Sequence, residues 1–159
     1  PIREAIRQLQ RENLVITDTA GGLRVAMLSV VDAIQLYDCR IALEQLSVAE
    51  SCRHATANQL DKLEQTVVQA EKFFSQQPHP LTHYQRLHMD YQFHRLLAES
   101  SGNLWLVQIL DQVFDKMALL RMQTVQHNPA VLEIRGEHRR IYEAIRDHNP
   151  IAATQAIQY

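Results

Sequence analysis

Four glycines and five prolines in 159 residues leave this chain few places to turn sharply. A sheet-rich domain needs turn residues every roughly 8–12 positions, and Gly and Pro supply most of them. Long helices with short joints are therefore expected. The breakers that do occur stand where helices should stop and start. They are Gln77-Pro78-His79-Pro80, Ser100-Ser101-Gly102-Asn103, Asn128-Pro129 and Asn149-Pro150. An Asn followed by Pro reads as a helix cap followed by the first helical position, where a missing N–H costs nothing.

Between these marks the apolar spacing is helical. Residues 2–13 place Ile2, Ala5, Ile6 and Leu9 on one face and Arg3, Arg7 and Arg11 on another, which gives an amphipathic helix with a basic stripe. Leu14 to Thr17 and Leu23 to Ala26 are short β-type runs around Gly21-Gly22, which predicts a hairpin. Ser29-Val30-Val31-Asp32 has the spacing of a capping box and opens a helix to about Arg53. Ile34, Tyr37, Ile41, Leu43 and Leu46 are expected to form its apolar face. Further helices are predicted over 57–75, 82–99, 104–126, 129–147 and 150–159. Short joints favour antiparallel neighbours. The fold class is thus all-α: an antiparallel six-helix bundle from residue 29 onward, preceded by a helix and a hairpin over 1–28.

Composition removes several functions. The net charge is −2, from 16 Lys and Arg against 18 Asp and Glu. Nucleic-acid binding would have to come from a local patch such as the basic stripe. Cys39 and Cys52 are 13 residues apart on one predicted helix, about 20 Å of rise, too far for a disulfide. There is no C-x-x-C, no Gly-rich phosphate loop and no H-E-x-x-H. No apolar run approaches the roughly 18 residues that span a bilayer, so no membrane partner is expected.

The chemistry-bearing positions are fewer. Asp90 and His94, four apart, share one face of a helix, so a carboxylate and an imidazole reach one point. On its own the spacing is a weak sign of a metal site, since a helical D-x-x-x-H is common and an exposed hydrogen-bonded pair is the plainer reading. His138 sits inside another predicted helix beside Ile141, as a ligand or as a half-buried side chain with one hydrogen bond. His88 points away from Asp90 on the helical wheel and should not share its site. Arg40 and Arg121 lie in apolar stretches. Each either snorkels to solvent or turns inward to pair with an anion.

Taken in order, these pieces resemble GntR-type transcription regulators of the FadR subfamily. Pro1-Ile2-Arg3-Glu4-Ala5-Ile6-Arg7-Gln8-Leu9, then Glu12-Asn13-Leu14-Val15, is similar to the recognition helix and first wing strand of a winged helix-turn-helix. Asn13 stands where the family usually has Gly, and it also tolerates a left-handed cap. Arg40-Ile41-Ala42-Leu43-Glu44 is similar to the R-x-x-L-E signature of the family's C-terminal ligand-sensing domain, the FCD domain. Asp90 to Leu97 with Ser101-Gly102-Asn103, and Glu137-His138 to Ile145, resemble its D-x-x-F-H-x-x-L…S-G-N and E-H-x-x-I-x-x-A-I motifs.

The resemblance implies a division at residues 1–28 and 29–159. The first part would be the C-terminal piece of a DNA-binding domain whose earlier helices precede Pro1. The second would be an effector-binding and dimerisation domain running past Tyr159. It implies a divalent metal, zinc, nickel or manganese, on Asp90, His94 and His138, with a fourth ligand near position 160. A small carboxylate effector would meet the metal, Arg40, Arg121 and Asn103. Arg3, Arg7 and Gly22 would lie on palindromic operator DNA, read by a cytoplasmic homodimer, and the chain would not be an enzyme. Two other readings stay open at this point: a metal-dependent enzyme on a helical bundle, and a metal-free helical dimerisation module.

Overall fold

The computed structural model describes residues 1–74, 82–125, 127–128 and 135–157. Its elements run α1 (Ile2–Arg11), β1 (Val15–Thr17), β2 (Leu23–Val25), α2 (Val30–His54), α3 (Ala57–Phe74), α4 (Thr82–Ser100), α5 (Leu104–Thr124), α6 (Arg135–Arg146) and α7 (Pro150–Ala156). The predicted architecture is therefore present: six helices behind a helix and a two-stranded hairpin. The predicted helix start at Pro129 lies outside the described residues, as does the predicted end at Tyr159.

The sequence signals act locally as expected. Ser29 Oγ accepts the Asp32 amide at 3.1 Å, and the Asp32 carboxylate accepts the Ser29 amide at 2.8 Å. This closes the capping box of α2. Asn103 caps α5 through the Leu106 amide, and Asn149 caps α7 ahead of Pro150. After α1 the chain turns through Asn13 at φ +55°, the left-handed position the sequence reserves for it. In the hairpin Val15 pairs with Val25 and Thr17 with Leu23, antiparallel. Gly22 must stay small, because a Cβ there would meet the Asp18 carboxylate at 2.9 Å. That carboxylate accepts the Gly22 amide at 2.8 Å.

The main core joins the C-terminal half of α2 to α3, α4, α6 and α7. Val48, Leu63, Val67, Phe93, Leu97, Ile141, Ile145 and Ala153 are buried in it. Burying each large side chain here stabilises by roughly 1.5–3 kcal/mol. A second cluster, Ala98, Leu106, Leu110 and Phe114, locks α4 to α5.

One expectation fails. The apolar face assigned to α2 is not its buried face. Ile34 is 58% exposed, Leu46 46% and Tyr37 36%. The buried positions of α2 are Arg40, Glu44, Ser47, Val48, Ser51 and Cys52, mostly polar. Part of this polar burial is satisfied across helices: Ser51 Oγ donates to the Leu97 carbonyl at 2.9 Å.

Candidate metal and effector centre

Four helices converge on one polar cluster inside the bundle. Asp90 and His94 are one turn apart on α4, and both are buried. From α6 comes His138, only 1% exposed, held flat against Phe93 with ring centroids 3.9 Å apart. Arg40 and Glu44, one turn apart on α2, and Arg121 from α5 complete the cluster, all buried.

Asp90 Oδ1 lies 3.3 Å from His138 Nε2 and 3.5 Å from His94 Nε2. Two ligand atoms in a tetrahedral shell with zinc–nitrogen or zinc–oxygen bonds sit about 3.4 Å apart, so these spacings match a metal's coordination edges. The three groups offer ligand atoms within 4.8 Å of one another. The second atom has a close partner on Asp90 and on His94 but not on His138. His94 Nδ1 lies 2.5 Å from Glu44 Oε1, a close ion-pair contact, and its Nε2 faces Arg40, Asp90 and His138. His138 Nδ1 is buried with no hydrogen-bond partner. The donor set, two imidazoles and one carboxylate, suits a borderline divalent ion.

Each buried charge is answered. Arg121 Nη1 is ion-paired with Asp90 Oδ2. Arg40 Nε donates to Glu44 Oε2 at 2.9 Å, and Arg40 Nη2 lies 2.9 Å from His94 Nε2. Arg40 thus occupies the same lone pair that a metal would use. Burial alone would raise the Glu44 carboxyl, yet Arg40 and His94 outweigh it and hold it at about 2. Burial likewise opposes ionisation of Asp90, but Arg121 first, then His94, keeps it well below the usual carboxylate range. The two imidazoles shift in opposite directions. Burial pushes His138 down to about 4, against its hydrogen bond to Asp90. Burial also acts on His94, but the Glu44 carboxylate beside it wins and raises it.

Arg40, Asp90 and Arg121, with Leu87, Phe114 and Met117, line a cavity of about 20 Å³. That holds a water or a single ion, not an organic acid. Inward ion pairing, not snorkelling, is the state of both arginines. Asn103 is not in this cluster: its side chain is spent on the α5 cap, and the residue is exposed. His88 is exposed and apart, as expected. Glu44 is a member that sequence reasoning missed as a site residue. Its signal was the i, i+4 spacing from Arg40 within the quoted signature. At the other end of the chain Arg3 and Arg7 are exposed on α1, and Gly22 is exposed in the hairpin turn.

Known proteins share the sequence pattern and the fold. Residues 35–159 match the FCD domain family. The chain is 31% identical over 157 residues to the uncharacterised HTH-type transcriptional regulator YdhC of Bacillus subtilis, covering 99% of this chain and 69% of that protein. It is 27% identical to the regulator BphR of Paraburkholderia xenovorans, over 86% of this chain and 57% of that one. Among solved structures it superimposes on Escherichia coli McbR/YncC with a TM-score of 0.83 at 15% identity, covering 99% and 74% of the two chains. It also superimposes on Streptococcus agalactiae GntR with a TM-score of 0.63 at 27% identity, covering 98% and 76%. No helix among the described residues is long and apolar enough to cross a membrane. With its helical bundle, its hairpin and these relatives, the chain belongs to the FCD-domain family of GntR-type transcriptional regulators and not to a family of enzymes.

Proposed function

We propose that this chain is the ligand-sensing part, with a piece of the DNA-binding part, of a FadR-type regulator whose operator affinity is set by a carboxylate effector. The observation that carries the reading is the convergence of Asp90, His94 and His138 at coordination spacing between two buried arginines. A divalent ion there would supply a fixed positive charge and an open position for an effector oxygen. Asp90, His94 and His138 would hold it, and Glu44 would keep the His94 Nε2 lone pair turned inward. Arg40 and the ion are alternatives at that nitrogen, so occupancy would release the Arg40 guanidinium toward an incoming carboxylate. Arg121, on the opposite wall, is the second anion partner.

At the N-terminal end, α1 presents Arg3 and Arg7 to solvent on one face, the arrangement of a helix that enters a major groove. The hairpin held by Gly22 against Asp18 would lie along the backbone or minor groove. Exposed Val30, Val31 and Ile34 on α2, and Leu104, Trp105 and Ile109 on α5, are apolar surface that a second copy would cover. A homodimer in a bacterial cytoplasm, reading a palindrome, follows from the same reading.

The test has two arms. Elemental analysis of protein purified without a histidine tag should find about one divalent ion per chain, lost in Asp90→Ala/His94→Ala. An ion content that is nil, or unchanged in the variant, removes the metal from the proposal. In the protein carrying its complete DNA-binding domain, Arg3→Ala should weaken operator binding and flatten its salt dependence. Unchanged binding would take α1 out of the DNA interface.

A further inference from the structure

α5 carries more than Arg121. Two residues further along the same helix, about 3 Å of rise, Gln123 reaches across to the segment between β2 and α2. Its Oε1 accepts the Leu28 amide at 3.2 Å. Its Nε2 donates to the Ala26 carbonyl at 2.8 Å and lies 3.5 Å from Met27 Sδ. One carboxamide thus satisfies a donor and an acceptor of an otherwise irregular stretch, as a neighbouring strand would. Ala26 is buried where this clasp closes, at 6% exposed, while Val25 and Met27 on either side are 60% and 75% exposed. α1 packs on β1 and β1 pairs with β2, and this segment joins the three elements to α2.

The other end of the connection is the polar cluster. Met117, Ala118 and Arg121 of α5 line the small cavity, and Arg121 grips Asp90. Anything that competes for Arg121 or Asp90 acts half a turn from the clasp. We infer that Gln123 is a positioning residue: it ties the hairpin and α1 to the sensor end of α5, so a change at Arg121 is passed to residues 26–28. This rests on the reading of the bundle as a sensor, and it adds the route by which the sensor would act. A single side chain that bridges both backbone groups can transmit rotation or sliding of α5, whereas apolar packing on exposed Met27 could not.

Hydrogen exchange of the Leu28 amide reads the clasp directly. Gln123 is half-buried, and Ala is a better helix former, so Gln123→Ala keeps α5 intact. Losing one net hydrogen bond should speed Leu28 exchange about five-fold, with the Leu97 amide in the core unchanged. Arg121→Lys keeps the charge but loses the planar fork. It should change Leu28 exchange at least about two-fold with Gln123 present and not in the Gln123→Ala background. Equal Leu28 exchange in wild type and Gln123→Ala overturns the clasp. A Leu28 response to Arg121→Lys that is absent, or the same in both backgrounds, overturns the coupling. Zn²⁺ alone is the third arm. Zinc that binds without altering Leu28 also overturns the coupling. Zinc that does not bind removes the metal reading, while the Arg121→Lys arm still decides the role of Gln123.

Discussion

Glu44 is where the chemistry of the cluster turns on one atom. Its Oε1 lies against His94 Nδ1, and its Oε2 holds Arg40. Glu44→Gln keeps the shape and can still bond, but it loses the charge that orients both neighbours. Zinc affinity, measured against a chelator, should fall about 10–100-fold. The imidazoles give a second prediction for metal-stripped protein. By NMR titration His138 should stay neutral until about pH 4, while His94, 5.1 Å away, should hold its proton above its ordinary 6.5. The signs for stability are opposite. The His94 contribution is complete below 6.5 and fades as pH rises through its folded value. Stability from a neutral His138 is complete above 6.5 and fades as pH falls toward 4. Two imidazoles that titrate together near 6.5 would contradict the cluster geometry. Asp90, His94 and His138 were legible because i, i+4 spacing and family motifs are written in sequence. Their closure on Arg40, Glu44 and Arg121 was not. Those contacts join residues 31 to 54 positions apart, and no local pattern records them.

At the scale of the element, caps were the most readable features. Ser29, Asn103 and Asn149 each do locally what their residue type allows. Asn103, expected at the effector, is exposed here and its side chain caps α5. Asn103→Ala should cost about 1 kcal/mol in chemical denaturation, the price of a lost cap, and leave zinc and effector binding as they were. A large loss of effector affinity with unchanged stability would return Asn103 to the pocket. The face of α2 was misread because hydrophobic spacing identifies sides but not which side is inward. In α2 the inward side of the middle turns carries charge, at Arg40 and Glu44, and charge is buried only where counter-charges meet it. α3 had no such conflict, and its Leu63, Val67 and Ala70 are buried as the spacing requires.

For the whole molecule, the proposed ion at the cluster would link occupancy to folding. An ion that binds only the folded bundle should add about 2.7 kcal/mol at 100 times its dissociation constant. His138→Ala, which removes one ligand, should abolish that increment in the same denaturation experiment. An equal increment in the variant would place the ion elsewhere. The cavity between Arg40 and Arg121 has a further consequence. At about 20 Å³ it is shut to any organic acid, so occupancy must wait for the bundle to part. Two buried ion pairs have to separate for that to happen. The observed association rate would then level off with rising effector concentration at the first-order rate of opening, as it does when binding needs a conformational change. Apparent affinity is reduced by the fraction of time the site is shut. If the proposed effector binds there, the regulator would answer to a sustained effector level and filter out brief pulses, because the ion pairs must open first.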